Sequence, residues 1–379
     1  MSQGFASKVA AVTIIGGGPA GAATALNLAA RGVLCLVIEA QAICQGKIGE
    51  VLTPNMLPLL HKMGLSKLID NSINLPAYGN RCIWGSDRPF ERLFITQTNN
   101  QGWHLNRVDF EQKLSQLTID RGVKWLRSCR FLKANYSQGE WWVKLRYRGK
   151  QHLLKTKFLV DATGRRGQLT RNLGIARKHY DHLVGLACYF SLADTTHIPH
   201  FTHIEAVPDG WWYAALLSDR RVITVFMTDG DLCSQSMQQM AGYWQKIQRT
   251  QLIKTLFPSE IPPVVNRGIV TQPASTSCLS SPVGQGWLAV GDAAFAYDPI
   301  SSYGIGSALG SGYYAAQAIA DHLINQRLEA LPAYQMVTEG AFNKYLARLR
   351  PQYLQEQRWR DRPFWQRRHQ SDFACQWIN

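Results

Sequence analysis

The chain has 379 residues, with 41 Lys and Arg against 26 Asp and Glu, a formal charge of +15, 46% hydrophobic and 18% charged residues. This balance excludes a disordered tail protein or a fibre, and the length allows two or three domains. No run approaches the roughly 18 apolar residues of a membrane span; the longest, Val9 to Ile15, runs into a glycine turn.

The N-terminus lacks a signal peptide's charged start, apolar run and small-residue cleavage site, so a cytoplasmic location is expected. The eight cysteines (Cys35, Cys44, Cys82, Cys129, Cys188, Cys233, Cys278, Cys375) form no CxxC pair, and no His cluster has zinc spacing. Free thiols and no metal follow. The positive charge suits nucleic acid, an anionic membrane surface, a phosphorylated substrate or an acidic protein, and does not choose among them.

In chain order, Val9 to Ile15 reads as a buried strand, Gly16-Gly17-Gly18-Pro19-Ala20-Gly21 as a turn, and Ala22 to Arg31 as a helix ended by Gly32. The spacing has a physical reason. Gly16 permits the turn, Gly18 lets a pyrophosphate approach the backbone, Gly21 lets the helix pack on the strand, and the helix N-terminus meets the phosphate charge. A second strand, Val33 to Ile38, ends at Glu39, 18 residues after Gly21, where a carboxylate accepts ribose hydroxyls. Such a unit binds FAD or NAD and does not distinguish them.

Lys47 to Pro54 leads into a short helix, Met56 to Met63. Trp103 to Phe110 opens another that carries Arg107. Trp141 to Leu145 and Lys155 to Val160 read as strands, the second ending at Asp161-Ala162-Thr163-Gly164. From Leu183 to Phe226, turn signals between apolar runs predict an antiparallel sheet, to which Arg81 to Trp84 adds a strand. Trp211 and Tyr213 are candidates to line an aromatic substrate site, although alternation puts at least one of Trp211, Trp212 and Tyr213 in the core. Asp229 to Ile247 connects back through a loop and helix. Leu288 to Val290 is a buried strand closed by Gly291-Asp292, and Gly306 to Asp321 is a helix. Gly304 and Gly306 let backbone amides come close to a flat ring. Arg350 to His369 interleaves Arg with Trp. That segment either binds a nucleic-acid backbone or, as the absence of any accompanying nucleic-acid motif favours, wraps its own domain with arginines pointing outward.

The opening GxGxxG, Val160 to Arg165 (VDATGR) and the late GD at Gly291-Asp292 stand in the order of one family. In this the chain resembles flavoproteins related to aromatic hydroxylases, geranylgeranyl reductases and flavin-dependent tryptophan halogenases. The resemblance implies an α/β fold: a Rossmann-like FAD-binding domain (1–75, 106–175 and 276–335), an antiparallel-sheet substrate or partner domain (76–105 and 176–275), and a C-terminal helical arm (336–379). It implies FAD, held by Gly16, Gly18, Pro19, Ala20, Gly21, Glu39, Ala40, Lys47, Arg107, Asp161, Gly164, Asp292, Pro299, Ser302, Gly304 and Ile305. Asp292 is the ribityl contact, the alternative being an ordinary helix N-cap. Arg107 faces the phosphates, the alternative being an exposed helix arginine. Lys47 and Glu50 are the catalytic candidates beside the ring, the alternative being a solvated ion pair between them.

Trp211-Trp212-Tyr213 after a glycine, Gly49-Glu50, the loop Asp298 to Gly304 and the basic arm look most like halogenase-like maturases of the LodB and GoxB type. Those flavoproteins help convert a tryptophan and a cysteine of an oxidase precursor into cysteine tryptophylquinone. The WxWxIP motif and roof-strand lysine of true halogenases are replaced here by Trp211 to Leu217 and by Arg81-Cys82-Ile83-Trp84-Gly85, which argues against halogenation. A second glycine turn is missing, so NAD(P)H docks transiently or a reductase supplies electrons. The resemblance therefore implies a monooxygenase of a tryptophan in a partner precursor, with no nucleic-acid partner. Two alternatives stand beside it: a monooxygenase or reductase of a free aromatic or isoprenoid small molecule, and a flavin-containing chaperone.

Overall fold

The computed structural model describes residues 10–44, 46–69, 72–96 and 101–370. Val9, Cys375, the N-terminal residues read for a leader and the last nine residues of the arm lie outside them.

A six-stranded sheet forms one layer, in the order Val283–Gly284, Trp287–Ala289, Phe158–Asp161, Val12–Ile15, Cys35–Ile38, Lys124–Leu126. Every neighbouring pair is parallel except Val283–Gly284 with Trp287–Ala289. Parallel strands buried on both faces need continuous apolar runs, and VTII, CLVI and FLVD supply them. Because the strands run the same way, the tips at Gly16, Ala162 and Val290 lie side by side, although they come from three distant parts of the chain. The helix Pro19–Ala29 covers one face and packs on Gly304–Leu323. Gly312 permits the close approach, since a Cβ there would press within 2.6 Å of the Ala20 carbonyl oxygen.

The first helix begins three residues earlier than the pattern suggested, because Pro19 suits its first turn. Lys155 to Val160 is not one strand. Lys150–Thr156 belongs to a three-stranded antiparallel sheet with Cys129–Ser137 and Glu140–Tyr147, whereas Phe158–Asp161 joins the main sheet. The Thr156 hydroxyl fixes the switch by donating to the Ala10 carbonyl at 3.0 Å. Trp103 and His104 lie in a strand, Gly102–His104, and the helix starts at Arg107, where the Asn106 side chain accepts from the Asp109 amide at 3.3 Å.

The second layer is a seven-stranded roof: Val264–Pro273, Leu183–Ser191, Arg221–Asp229, Gly210–Leu216, Phe201–Val207, Gly79–Ile83, Phe90–Leu93. It is mixed rather than purely antiparallel, because Phe201–Glu205 pairs in parallel with Gly79–Ile83. Alternation sorts its aromatics. Trp212 joins Phe226 and Tyr243 under the helix Met240–Gln248, while Trp211 and Tyr213 face the core shared with the parallel sheet.

The arm consists of Ala330–Leu354 and Pro363–His369, beginning six residues before the expected boundary. It wraps its own domain. Phe364 and Trp365 are fully buried, and the Trp365 indole donates to the Val207 carbonyl at 2.8 Å. Its arginines do not all point outward: Arg368 is 1% exposed and pairs with buried Asp229 at 2.8 Å. Among the described residues, no helix is long and apolar enough to cross a membrane, and no His, Cys, Asp or Glu cluster could hold a metal.

Candidate active site

The glycine turn is built from steric necessity. Gly16 has φ of +103°, and a Cβ there would overlap the Ala162 carbonyl, just as one at Gly21 would overlap the Gly16 carbonyl. Glu39 holds the turn, accepting from the Gly17 amide at 2.7 Å and from the Gln41 amide at 2.8 Å, with exposed Ala40 between. The Lys47 ammonium lies 3.3 Å from where a Cβ on Gly18 would stand. A positive charge thus sits over the turn at the helix N-terminus, where anion binding is strongest.

Lys47 and Glu50 do not pair, and the solvated ion pair is ruled out. Lys47, half exposed, binds Glu111 at 2.7 Å. Glu50 is 2% exposed; it accepts from the Tyr189 hydroxyl at 2.9 Å and the Gly49 amide at 3.0 Å. Burial pushes the Glu50 carboxyl up, against the pull of Arg107 and of these donors. The phenol of Tyr189 is pushed far up, by burial first and then by the Glu50 charge. Across the roof, the Tyr213 hydroxyl is buried with no hydrogen-bond partner among the described residues, and its ionisation is disfavoured by burial and by Glu50.

Arg107 is buried rather than an exposed helix arginine. It donates to Glu111 at 2.6 Å, to the Ile48 carbonyl at 3.3 Å and to the Gly49 carbonyl. Its Nε has no partner among the described residues. Burial opposes ionisation of Glu111, but Arg107 and Lys47 hold its carboxyl below the ordinary value. Glu111 is thus the anchor that joins the two cations. The Arg107 to Glu111 spacing of four residues on a helix was the available signal for it.

At the other strand tips, Asp161 corrects an expectation. It is fully buried, and its oxygens accept from the Thr163 amide at 3.0 Å, the Thr163 hydroxyl at 2.6 Å and the Thr170 amide at 2.9 Å. Its carboxylate organises the turn and is not offered to a cofactor. Gly164 follows at φ of +64° with open space where a Cβ would stand. Asp292 is not an N-cap; it lies inside the short turn Gly291–Ala293, part exposed, 3.4 Å from the Arg165 guanidinium. Pro299 opens the next turn, Ser302 is left-handed at φ of +53°, and exposed Gly304 starts the helix that buries Ile305.

Trp211 is the second correction. It is 1% exposed, packs on Trp84 and donates to the Tyr353 hydroxyl at 3.1 Å, so it is core rather than a substrate-facing wall. Tyr213 remains on the inner face. The sequence reading also missed Tyr189, His104 and the Asp298 cluster. His104 bridges the roof through the Leu216 carbonyl (3.0 Å) and the Thr202 hydroxyl (3.1 Å); burial lowers its pKa to about 3. An open groove of about 770 Å³, lined in part by His179, His182, Asp231 and Ser275, lies beside Arg165, which donates to the Ser275 carbonyl.

These residues fit a flavin dinucleotide: a glycine turn that tolerates no Cβ, a cation above it, an acid at the second strand tip and an open glycine at the start of the late helix. The fold and site define an FAD-dependent oxidoreductase of the halogenase-like type, with FAD as its cofactor. The chain belongs to the FAD binding domain family, whose model matches residues 9–336. It is 30% identical to LodB of Marinomonas mediterranea over 94% of this chain and 96% of that protein. Two solved structures share the fold. The myxobacterial chondrochloren halogenase CndH does so at 22% identity and a TM-score of 0.87, over 97% of this chain and 88% of that one. The peptidyl tryptophan dihydroxylase QhpG, described as essential for tryptophylquinone cofactor biogenesis, does so at 24% identity and 0.77, over 95% and 79%.

Proposed function

We propose that this protein is an FAD-dependent monooxygenase that oxygenates a tryptophan side chain in the precursor of a partner oxidase during cysteine tryptophylquinone formation. The observation that carries this reading is a dinucleotide turn with the Lys47 ammonium beside Gly18, and a buried carboxylate, Glu50, bound by Tyr189 of the roof, in a chain similar to LodB over nearly its whole length. The fold shared with QhpG supports a peptidyl substrate, and an open groove beside Arg165 suits a protein chain better than a closed pocket.

In this reading Gly16, Gly18, Pro19, Ala20 and Gly21, with Glu39 and Ala40, hold the adenosine diphosphate half. Lys47 and Arg107 neutralise phosphate charge, with Glu111 fixing both cations. Gly164, Asp292, Pro299, Ser302, Gly304 and Ile305 border the ribityl chain and ring. Bound FAD, once reduced by NAD(P)H or a reductase, supplies the activation of dioxygen. The protein's own part is to exclude water and to manage protons. Glu50, oriented by the Tyr189 hydroxyl that donates to its Oε1, is the group placed to take up or release a proton, and the roof aromatics keep water from the site. The segments 1–75, 106–175 and 276–335 serve the cofactor and 76–105 and 176–275 the substrate, with the arm binding its own domain.

The test is mass spectrometry of the precursor co-expressed with the intact protein or with an Asp292→Ala variant. Oxygen added to a precursor tryptophan only with the intact protein is the expected result. An unmodified precursor in both cases overturns the reading and directs attention to small aromatic or isoprenoid substrates.

A further inference from the structure

The loop from Tyr297 to Tyr303 is turned by hydrogen bonds of its own around Asp298, Pro299 and Ser301 and includes a left-handed residue, Ser302. Its position against the rest of the molecule is set from outside, by the helix Ala330–Leu354. Tyr345 and Tyr353 stand eight residues apart on that helix, about two turns, and so on one face. The Asp298 amide donates to the Tyr345 hydroxyl at 2.8 Å, and the Tyr353 hydroxyl donates to Asp298 Oδ2 at 2.7 Å. The other Asp298 oxygen accepts from the Ile300 amide at 2.9 Å. Tyr345 also stacks edge-on against Tyr297, with ring centres 4.7 Å apart.

Tyr353 has a second bond. Its oxygen accepts from the Trp211 indole, and the Arg368 guanidinium lies 5.1 Å from its ring centre. One fully buried hydroxyl therefore joins the roof strand Gly210–Leu216, the arm and the loop that leads to Gly304.

We propose that Tyr353 is a positioning residue: its hydroxyl, seated between Trp211 and Asp298, fixes the Pro299–Gly304 loop in the shape that receives the flavin and sets it relative to the roof. This rests on the reading that the loop borders the ring. A hydrogen bond between two buried side chains orients as well as stabilises, so its removal changes the loop's setting while the rest of the fold stays in place.

The experiment titrates FAD into the full-length apoprotein and records dissociation constants and the absorption spectrum of bound flavin. The variants are Tyr353→Phe, Asp298→Asn, the two combined, Gly304→Leu and Arg358→Ala. Gly304→Leu fills space that no protein atom occupies within 4 Å. Arg358→Ala removes arm contacts to Asp87 and Glu356 that do not touch the loop. Tyr353→Phe is expected to raise the dissociation constant on the order of tenfold and to shift the flavin bands. The double variant should be no weaker than the weaker single one. Arg358→Ala should lower the unfolding temperature and leave both flavin readouts unmoved. Weakened binding in Gly304→Leu with an unchanged constant and spectrum in Tyr353→Phe overturns the proposal alone. Undiminished binding in Gly304→Leu overturns the reading of the loop on which it rests.

Discussion

The two ends of the proposed flavin site are held in opposite ways. At the adenosine end, the turn Gly16 to Gly21 is fixed by its own backbone and by Glu39, whose bond to Gly17 spans 22 residues. At the ring end, the loop from Asp298 makes a turn of its own but is anchored to the rest of the molecule by aromatic side chains, with Tyr353 lying 55 residues away and Trp211 farther still. The first is a local solution made of absent side chains; the second is a long-range one made of large ones. A sequence motif records the former because sterics permit only glycine there, whereas many residues could in principle brace a loop from a distance.

That contrast can be broken at the arm first. Replacing Arg368 by Met leaves Asp229 as a buried carboxylate whose remaining partner is the exposed end of Arg367, and is expected to cost about 3–5 kcal/mol in chemical denaturation. If the loss is below about 1 kcal/mol, the arm is not an integral part of the fold.

A pH-dependent effect comes next. Burial pushes the Asp298 carboxyl up to about 7, with Asp181 adding to the rise and the Ile300 amide, Tyr353 and Arg368 opposing it; the Tyr345 hydroxyl packs against its amide. The folded state therefore keeps this proton after the unfolded chain has released it. The associated stability is full below about pH 4 and is lost as pH rises toward 7, by up to about 4 kcal/mol. Urea midpoints of Asp298→Asn should show a shallower fall over that range than the parent. Parallel curves would mean that the carboxyl titrates normally.

At the turn, Gly16→Ala adds a Cβ against the Ala162 carbonyl at a left-handed φ, for about 2–3 kcal/mol and loss of bound flavin in a gel-filtered preparation. Retained flavin would show that the turn adapts. The smallest effect is expected for Tyr189→Phe, which removes one donor from Glu50, about 1 kcal/mol by thermal unfolding. It should also move the acid limb of any pH–rate profile upward, because the Glu50 carboxyl loses a bond that favours its charged form. An unmoved limb would remove Glu50 from proton exchange.

Legibility followed the same division. The glycine turn, the acid at the tip of the second strand and the late GD could be read because each depends on short spacings with a steric or periodic cause; the order of the strands in the parallel sheet, and Lys124–Leu126 at its edge, could not. The helix carrying Arg107 could be read, although it starts four residues later than Trp103, where the pattern opens it, and Glu111 could have been read with it from the four-residue spacing. Asp161 was misjudged because an acid at a strand tip looks alike whether it serves a ligand or its own Thr163 and Thr170. Trp211 was misjudged because strand alternation gives a face but not what covers it, and the cover is Tyr353 from the arm. That the segment around Arg81 to Trp84 adds a strand to the roof was legible, but its parallel pairing with Phe201–Glu205 has no local signature.

The span from Asp298 to Tyr353 also has a consequence for synthesis. On an elongating chain the glycine turn can close once the first two strands have emerged, but the ring-side loop must wait for a helix made 55 residues later. Native contacts of such sequence separation form late and set the pace of folding. Nascent chains arrested between these points would hold the adenosine half of their cofactor site before the other half, and secure retention of flavin would come only once that helix has packed.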